Sequence, residues 1–178
     1  SYKNFEVFLD AFKMISASDP RLRIVTVGPS LNEHEHEMLR SRNLEGRSLD
    51  YGWVSDEILC ALYQGAVALV YPSFFEGFGL PPLEAMACGI PVVVSNKSSL
   101  SEVVGSSAIM INPQNPSEIS WAIKEILENR ELSEYLTKKG LEQAEKFNWN
   151  NAVKEILNSI YAEILLTGKA GLATQICE

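Results

Sequence analysis

The chain has 178 residues, close to half of them hydrophobic, and a formal charge of -8. This length suits one domain with a buried core, and the hydrophobic content excludes a disordered chain. The acidic balance argues against a nucleic-acid partner, which usually meets a basic surface, but an anionic ligand held by backbone amides remains compatible with it.

The first half of the chain alternates helical and strand patterns. The predicted elements are a helix from residue 5, a strand at 23–27, a helix at 31–42, a strand at 49–53 and a helix at 55–64. Ser55 can cap the last of these helices through its hydroxyl.

The second half continues the alternation and ends in helices. The predicted elements are strands at 66–71, 90–94 and 108–111, a short helix at 81–88, and helices from 115, at 131–147 and at 150–165. The strands at 66–71 and 90–94 are continuously apolar, which is typical of strands covered on both faces. The pattern therefore predicts an α/β fold, a Rossmann-like parallel sheet with helices on both faces. The apolar stripe of the last helix is interpreted as core packing.

The reactive residue types give weaker signals. Cys60, Cys88 and Cys177 are odd in number and form no C-x-x-C pair, so neither a disulfide framework nor a zinc site is expected. His34 and His36 lie in a polar segment that favours a solvated helix face over a metal site. We predict no transmembrane segment and no signal peptide, and we interpret the chain as a fragment of a longer polypeptide.

Segment 72–91 carries the clearest functional signal. It follows a buried strand and opens a helix, and ligands of open parallel sheets bind beyond the carboxyl ends of the strands. Gly77 and Gly79 allow the backbone to approach a ligand closely. The amides of Gly79 and Leu80 lie near a helix N-terminus, where they suit a diphosphate.

Two carboxylates flank this loop. Glu76 precedes the glycines and Glu84 lies in the first turns of the helix. Both can accept hydrogen bonds from sugar hydroxyls. From the residues alone, a plain strand-to-helix turn whose glutamates interact with the helix dipole is an equal alternative.

The run from Glu76 to Val93 resembles the hallmark of glycosyltransferase family 4, whose members are retaining enzymes with the GT-B fold. The family pattern is two glutamates separated by seven residues, the spacing of Glu76 and Glu84. The similarity covers nearly all of the chain and includes segments 52–56, 95–105 and 147–149. It implies that the chain is the C-terminal, nucleotide-sugar-binding half of such an enzyme.

The resemblance also implies roles for single residues. Glu84 would accept hydrogen bonds from the ribose, and Glu76 would contact the donor sugar and stand closest to the reacting carbon as the catalytic residue. The other implied substrate-binding residues are Lys3 on the diphosphate, Val54 on the base through its backbone, and Gly77, Phe78, Gly79 and Leu80 on the sugar and the diphosphate. For Lys3, a solvated lysine near a chain end is the alternative.

Part of the family pattern is absent. A strand and a glycine-arginine turn normally precede the position of Lys3, and an acceptor-binding domain precedes those. We therefore expect residues 1–178 to form a single donor-binding domain, with 148–178 as C-terminal helix and tail. In the strand order 3-2-1-4-5-6, the absent first strand would separate strands 23–27 and 66–71. Upstream residues, a neighbouring chain or the tail at 168–177 would fill its place, or the two strands would pair directly.

The implied parent protein transfers a hexose from a nucleotide sugar to a hydroxyl acceptor, a glycan or a lipid-linked glycan. The Ser98-Ser99-Leu100 run is most similar to transferases that use GDP-mannose, and a UDP-hexose is the other donor considered. We expect no metal requirement, a cytoplasmic location with membrane contact at the inner face only through the absent domain, and no activity of this chain alone. The alternatives are a non-catalytic sugar-nucleotide-binding or regulatory domain, and another doubly wound enzyme such as an epimerase, although no early G-x-G-x-x-G turn is present.

Overall fold

The structure is a computed structural model that describes residues 3–167. Its strands are β1 (Ile24–Thr26), β2 (Ser48–Asp50), β3 (Leu69–Tyr71), β4 (Val92–Ser95) and β5 (Ile109–Ile111). Its helices are α1 (Phe5–Ser16), α2 (Glu33–Ser41), α3 (Asp56–Gly65), α4 (Leu80–Ala87), α5 (Leu100–Val104), α6 (Pro116–Glu128), α7 (Arg130–Ala144) and α8 (Trp149–Thr167). The chain divides into two compact units, one up to Ala144 and one from Glu145 onward.

Local sequence signals explain where the helices begin. At α2, Asn32 accepts a hydrogen bond from the Glu35 amide and the Glu35 carboxylate accepts one from the Asn32 amide, which completes a capping box. At α6, Asn115 caps the Ser117 amide and Pro116 occupies the first helical position. The helix predicted from residue 115 therefore begins where its capping pattern indicates.

The strands pair in parallel, as predicted. β1 pairs with β2, with Val25 opposite Leu49. β4 lies between β3 and β5, with Val93 opposite Val70 and Ile109. Within each of these sheets the carboxyl ends of the strands meet at one edge, where ligands of parallel sheets bind.

Strand β4 forms the centre of the core and explains its continuous apolar sequence. Val93 packs into a cluster with residues of α1 and α6, whereas Val92 and Val94 pack into a second cluster with residues of α4 and α5. All four residues of β4 are buried. Because successive strand residues face opposite sides, helices cover this sheet on both faces and the predicted α/β class is confirmed.

The neighbouring strand differs from its prediction. β3 spans Leu69–Tyr71 instead of 66–71, and its residues are only half-buried. In the described part of the chain β3 pairs with β4 alone, and β1 pairs with β2 alone. Direct pairing of these two strands, one of the three outcomes predicted, does not occur. The tail at 168–177, a second predicted occupant, lies outside the described residues.

The apolar stripe of α8 was predicted to be core, and this prediction is wrong for the described residues. Val153, Ile156, Leu157 and Ile160 are all exposed. Periodicity identifies an apolar face, but it does not identify the surface that covers it.

Candidate functional site

The candidate site is the loop between β3 and α4. Gly79 ends the loop with φ at 109° and is the N-cap of α4. A side chain there would be strained, and its Cβ would lie 2.6 Å from the Cδ2 atom of the buried Leu100. Gly77, in contrast, has no atom within 4 Å of the position of a Cβ. Gly79 is therefore required by the backbone itself, while Gly77 leaves open space beside the loop.

The beginning of α4 offers few but well-defined hydrogen-bond donors. The first turn of an α-helix has amides without intrahelical acceptors. Here Pro81 and Pro82 follow Leu80 in that turn and have no N–H group. The amides of Gly79 and Leu80 are therefore the donors directed toward the loop, at the positive end of the helix dipole.

The loop contains polar atoms that lack protein partners. Three side-chain polar atoms in the described residues are buried without a hydrogen bond, and two of them are Ser73 Oγ and Glu76 Oε1. A buried polar atom without a partner costs free energy, so such atoms are rare in native proteins. A carboxylate oxygen and a hydroxyl in this state point to a polar ligand that completes their hydrogen bonds.

Glu84 lies on α4 at the edge of an open pocket of about 310 Å³ between α3 and α4. The Tyr63 hydroxyl donates to Glu84 Oε2 over 3.4 Å. Burial, and then the Glu84 charge, raise the pKa of Tyr63, so this hydroxyl remains a donor at neutral pH. Tyr63 therefore orients one oxygen of an otherwise exposed carboxylate.

The same pocket is lined by two cysteines. The Sγ atoms of Cys60 and Cys88 are 3.4 Å apart, and both thiols are free and half-buried. Burial, and then the hydrogen bond with Cys60, raise the pKa of Cys88 to about 11. At neutral pH Cys88 is therefore a protonated, weakly reactive thiol.

Lys3 is exposed and lies next to a buried anchor. The Asn4 side-chain amide donates to the carbonyl oxygens of Pro72, over 3.2 Å, and Pro113, over 2.5 Å. These prolines follow closely after β3 and β5, so Asn4 ties the start of α1 to the carboxyl ends of two strands. Asn4 has φ at 59°, a left-handed conformation that asparagine tolerates better than most residues. This contact brings the predicted phosphate-binding Lys3 to the edge of the sheet that carries the loop between β3 and α4, the Glu76 loop.

Val54 lies in the loop after β2 and is half-buried. Gly52, near the start of this loop, has φ at 62°, and its carbonyl accepts a hydrogen bond from the Gly28 amide over 2.9 Å. The neighbouring Trp53 is 82% exposed. The loop is thus fixed against the end of β1, with the Trp53 side chain exposed.

A further segment, Ser98–Leu100, contacts the Glu76 loop from the end of β4. The Glu76 amide donates to Ser98 Oγ over 3.0 Å, and the Ser99 hydroxyl lies 2.9 Å from the Glu76 carbonyl oxygen and 3.0 Å from that of Phe78. Sequence reasoning assigned no role to these hydroxyls.

Glu76, Gly77, Phe78, Gly79, Leu80 and Glu84 thus belong to one loop and the helix that follows it. Sequence reasoning missed Asn4, Tyr63 and Ser99, whose hydrogen bonds hold this region together. Only the left-handed tendency of asparagine offered a sequence signal, because the other contacts join segments that are distant in the chain. Within residues 3–167, every helix is too short or too polar to cross a membrane.

Comparison with known proteins gives an independent identification. The sequence matches the family described as glycosyl transferases group 1 over residues 1–143. It is 38% identical over 161 residues to the O-antigen chain mannosyltransferase B of Escherichia coli. The aligned region covers 88% of this chain and 42% of that protein.

Two solved structures have the same fold. The sucrose-phosphate synthase of Thermosynechococcus elongatus superposes with a TM-score of 0.77 at 28% identity, over 93% of this chain and 43% of that one. Anabaena Alr3699/HepE in complex with UDP-glucose superposes with a TM-score of 0.78 at 21% identity, over 90% of this chain and 46% of that one. The chain spans 42% of the length of the Escherichia coli mannosyltransferase and 43% of the length of the sucrose-phosphate synthase. With a family match over residues 1–143, the chain belongs to the glycosyl transferases of group 1.

Proposed function

We propose that this chain binds the nucleotide-sugar donor of a retaining glycosyltransferase of family 4, which transfers a hexose to a hydroxyl acceptor such as a glycan or a lipid-linked glycan. The observation that carries the proposal is the buried Glu76 Oε1 atom, which has no protein partner in the described residues. It lies in the same short loop as the Gly79 and Leu80 amides, at the carboxyl end of a parallel strand. A sugar hydroxyl and a diphosphate would satisfy both groups at once.

The proposed roles follow the positions of the residues. Glu76 contacts the donor sugar beside the reacting carbon, and Glu84 accepts hydrogen bonds from the ribose with one oxygen oriented by Tyr63. The loop from Gly77 to Leu80 holds the sugar and the diphosphate through its backbone. Lys3 neutralises charge on the diphosphate, and such a charge stabilises a leaving group.

The base lies beside Val54 in this proposal. Val54 is half-buried in the loop that follows β2, and the Gly28 amide holds this loop by a hydrogen bond to the Gly52 carbonyl. This contact uses the Val54 backbone, so the identity of the side chain matters less than the position of the loop.

A mannose donor is the more specific part of the proposal. Its support is the mannosyltransferase of Escherichia coli at 38% identity. The complex of Alr3699/HepE with UDP-glucose supports a nucleoside-diphosphate hexose in general, through the shared fold. We therefore rank GDP-mannose first and a UDP-hexose second.

The whole enzyme needs a second half in this proposal. The relatives are more than twice as long as the matched region, which is compatible with an N-terminal acceptor domain. The strand positions support a further strand between β1 and β3, because these strands belong to separate sheets and each has an unpaired edge in the described residues. Transfer would occur in the cytoplasm, with membrane contact at the inner face through the acceptor domain, and without a divalent metal.

Calorimetric titration of two variants with nucleoside diphosphate tests the assignment. Glu84→Ala should weaken binding by about 10- to 150-fold, since a charge-assisted hydrogen bond contributes about 1.5–3 kcal/mol. Glu76→Ala should retain most of the nucleotide affinity and lose hexose transfer in the full-length polypeptide. Titrations in EDTA should give the same affinities.

Glu128→Ala is the matched control, because in the described part of the chain this exposed carboxylate on α6 forms only a long ion pair with Lys124, at 3.8 Å. Equal losses of nucleotide affinity at Glu76 and Glu84 would refute the division of roles. A full-length polypeptide that binds nucleotide sugar without transferring it would favour the regulatory alternative.

A further inference from the structure

The hydroxyl of Ser99 is not used in the way its position in the chain suggests. Ser99 is the N-cap of α5, where a serine oxygen normally accepts a hydrogen bond from an amide of the first turn. Its side chain makes no such capping bond here. Instead, Ser99 Oγ faces the carbonyl oxygens of Glu76, at 2.9 Å, and Phe78, at 3.0 Å. A single hydroxyl proton is therefore shared between two carbonyls of the candidate site.

Ser98, the residue before Ser99, bonds to the amide of Glu76, whereas Ser99 bonds to its carbonyl. Ser98 Oγ accepts a hydrogen bond from the Glu76 amide over 3.0 Å and donates to the Lys97 carbonyl over 2.8 Å. The direction of its proton is thus settled, because the oxygen accepts on one side and donates on the other. Both backbone polar groups of Glu76 are then bonded to serines of one short segment.

The backbone of this segment is held in an unusual conformation. Ser98 has φ at 55°, a left-handed conformation that is uncommon outside glycine and asparagine. The turn is supported by the buried Ser95, whose hydroxyl accepts a hydrogen bond from the Lys97 amide over 3.1 Å. Leu100, which follows Ser99, is fully buried and packs against Gly79. The segment therefore contacts the middle of the loop at Glu76 and its end at Phe78 and Gly79.

We infer that Ser99, supported by Ser98, is a positioning residue that fixes the Glu76 loop so that the Glu76 carboxylate and the loop amides face the donor sugar. The role is larger for the sugar half of the ligand than for the diphosphate, because Ser98 and Ser99 bond to both backbone polar groups of Glu76. The Gly79 amide shares a peptide group with the Phe78 carbonyl, but its residue is also fixed as the N-cap of α4. The nucleoside half lies toward Glu84, to which the Ser99 side chain forms no hydrogen bond in the described residues. The effect on sugar binding rests on the proposed function. The clamp, meaning the hydrogen bonds of Ser98 and Ser99 to the backbone of Glu76 and Phe78, is present in the free protein.

Hydrogen exchange of the free chain tests the clamp. In Ser99→Ala, amides of the segment 74–80 should exchange about fivefold faster, which corresponds to about 1 kcal/mol. Ser99→Thr keeps the hydroxyl and should restore slow exchange. Ser101→Ala is the matched control, because Ser101 lies in α5, two residues after Ser99, and in the described residues its hydroxyl donates only to the Ser98 carbonyl, over 3.5 Å. Unchanged exchange in Ser99→Ala would overturn the inference.

Calorimetry on the same variants tests the consequence. Affinity for the nucleotide sugar should fall about fivefold in Ser99→Ala, while affinity for the free nucleoside diphosphate should change by less than about twofold. An equal loss for both ligands would mean that Ser99 only supports the fold, and would overturn the positioning role. If the wild-type chain binds neither ligand, the proposed function fails, and the exchange rates alone then decide whether the clamp exists.

Discussion

Replacement of Gly79 by alanine perturbs the point at which the candidate loop enters α4. The residue has φ at 109°, and its Cβ would lie 2.6 Å from Leu100 Cδ2. Backbone strain of this type costs about 1–3 kcal/mol, and overpacking a core costs a similar amount. Alanine also restricts the unfolded chain, which offsets about 0.4–1 kcal/mol.

The expected net loss in the free energy of unfolding is therefore about 3 kcal/mol. For a domain of this size, such a loss lowers the melting temperature by about 6–12 °C. Urea unfolding followed by circular dichroism measures it directly. Gly77→Ala is the control, because its Cβ meets no atom within 4 Å, and it should leave stability almost unchanged.

A second substitution separates the two causes. Leu100→Ala removes the side chain that the new Cβ would meet, and it should itself cost about 2–5 kcal/mol because Leu100 is fully buried. If the clash contributes, the double variant should be more stable than the sum of the two losses by about 1 kcal/mol or more. Strict additivity would assign the whole cost to backbone strain, and a Gly79→Ala chain as stable as Gly77→Ala would refute both.

Two further predictions concern the strand edges and the cysteine pair. In a polypeptide extended upstream of residue 1, the amides of β1 and β3 should gain protection from hydrogen exchange, because an added strand would pair with both; unchanged exchange in both strands would contradict the proposed order. In a Cys177→Ser chain, oxidised glutathione should convert the Cys60 and Cys88 thiols into one disulfide with release of two glutathione thiols, since the sulfur atoms need to approach only from 3.4 Å to about 2.05 Å. Mass spectrometry should show that the chain loses two hydrogens. The reaction should become faster as the pH rises toward the Cys88 pKa of about 11, and no hydrogens should be lost in Cys60→Ser.

The fold class was predictable because it depends on short-range patterns. The apolar run at 90–94 indicated a strand covered on both faces, and β4 is buried throughout. The same reasoning extended β3 too far, to 66–71, because apolar sequence does not distinguish a strand from the approach to it. It also assigned the α8 stripe to the core, although Val153 and Ile156 are 50% and 59% exposed. A sequence pattern identifies an apolar helix or strand face, but the element that covers this face is determined by the tertiary structure.

The candidate site shows the same division more sharply. Glu76 and Glu84 could be paired from the sequence because they flank one loop and because their separation by seven residues resembles the pattern of glycosyltransferase family 4. The residues that hold the loop lie farther away in the chain. Ser99 is 23 positions from Glu76, and Asn4 is 109 positions from Pro113.

Neither contact has a local sequence pattern, since each depends on the order in which the parallel strands are placed. In a parallel sheet the loops after different strands meet at one edge, so residues distant in sequence become neighbours there. The chemistry proposed for this site is therefore predicted from one loop, whereas the hydrogen bonds that position the loop come from side chains that only the fold brings to it.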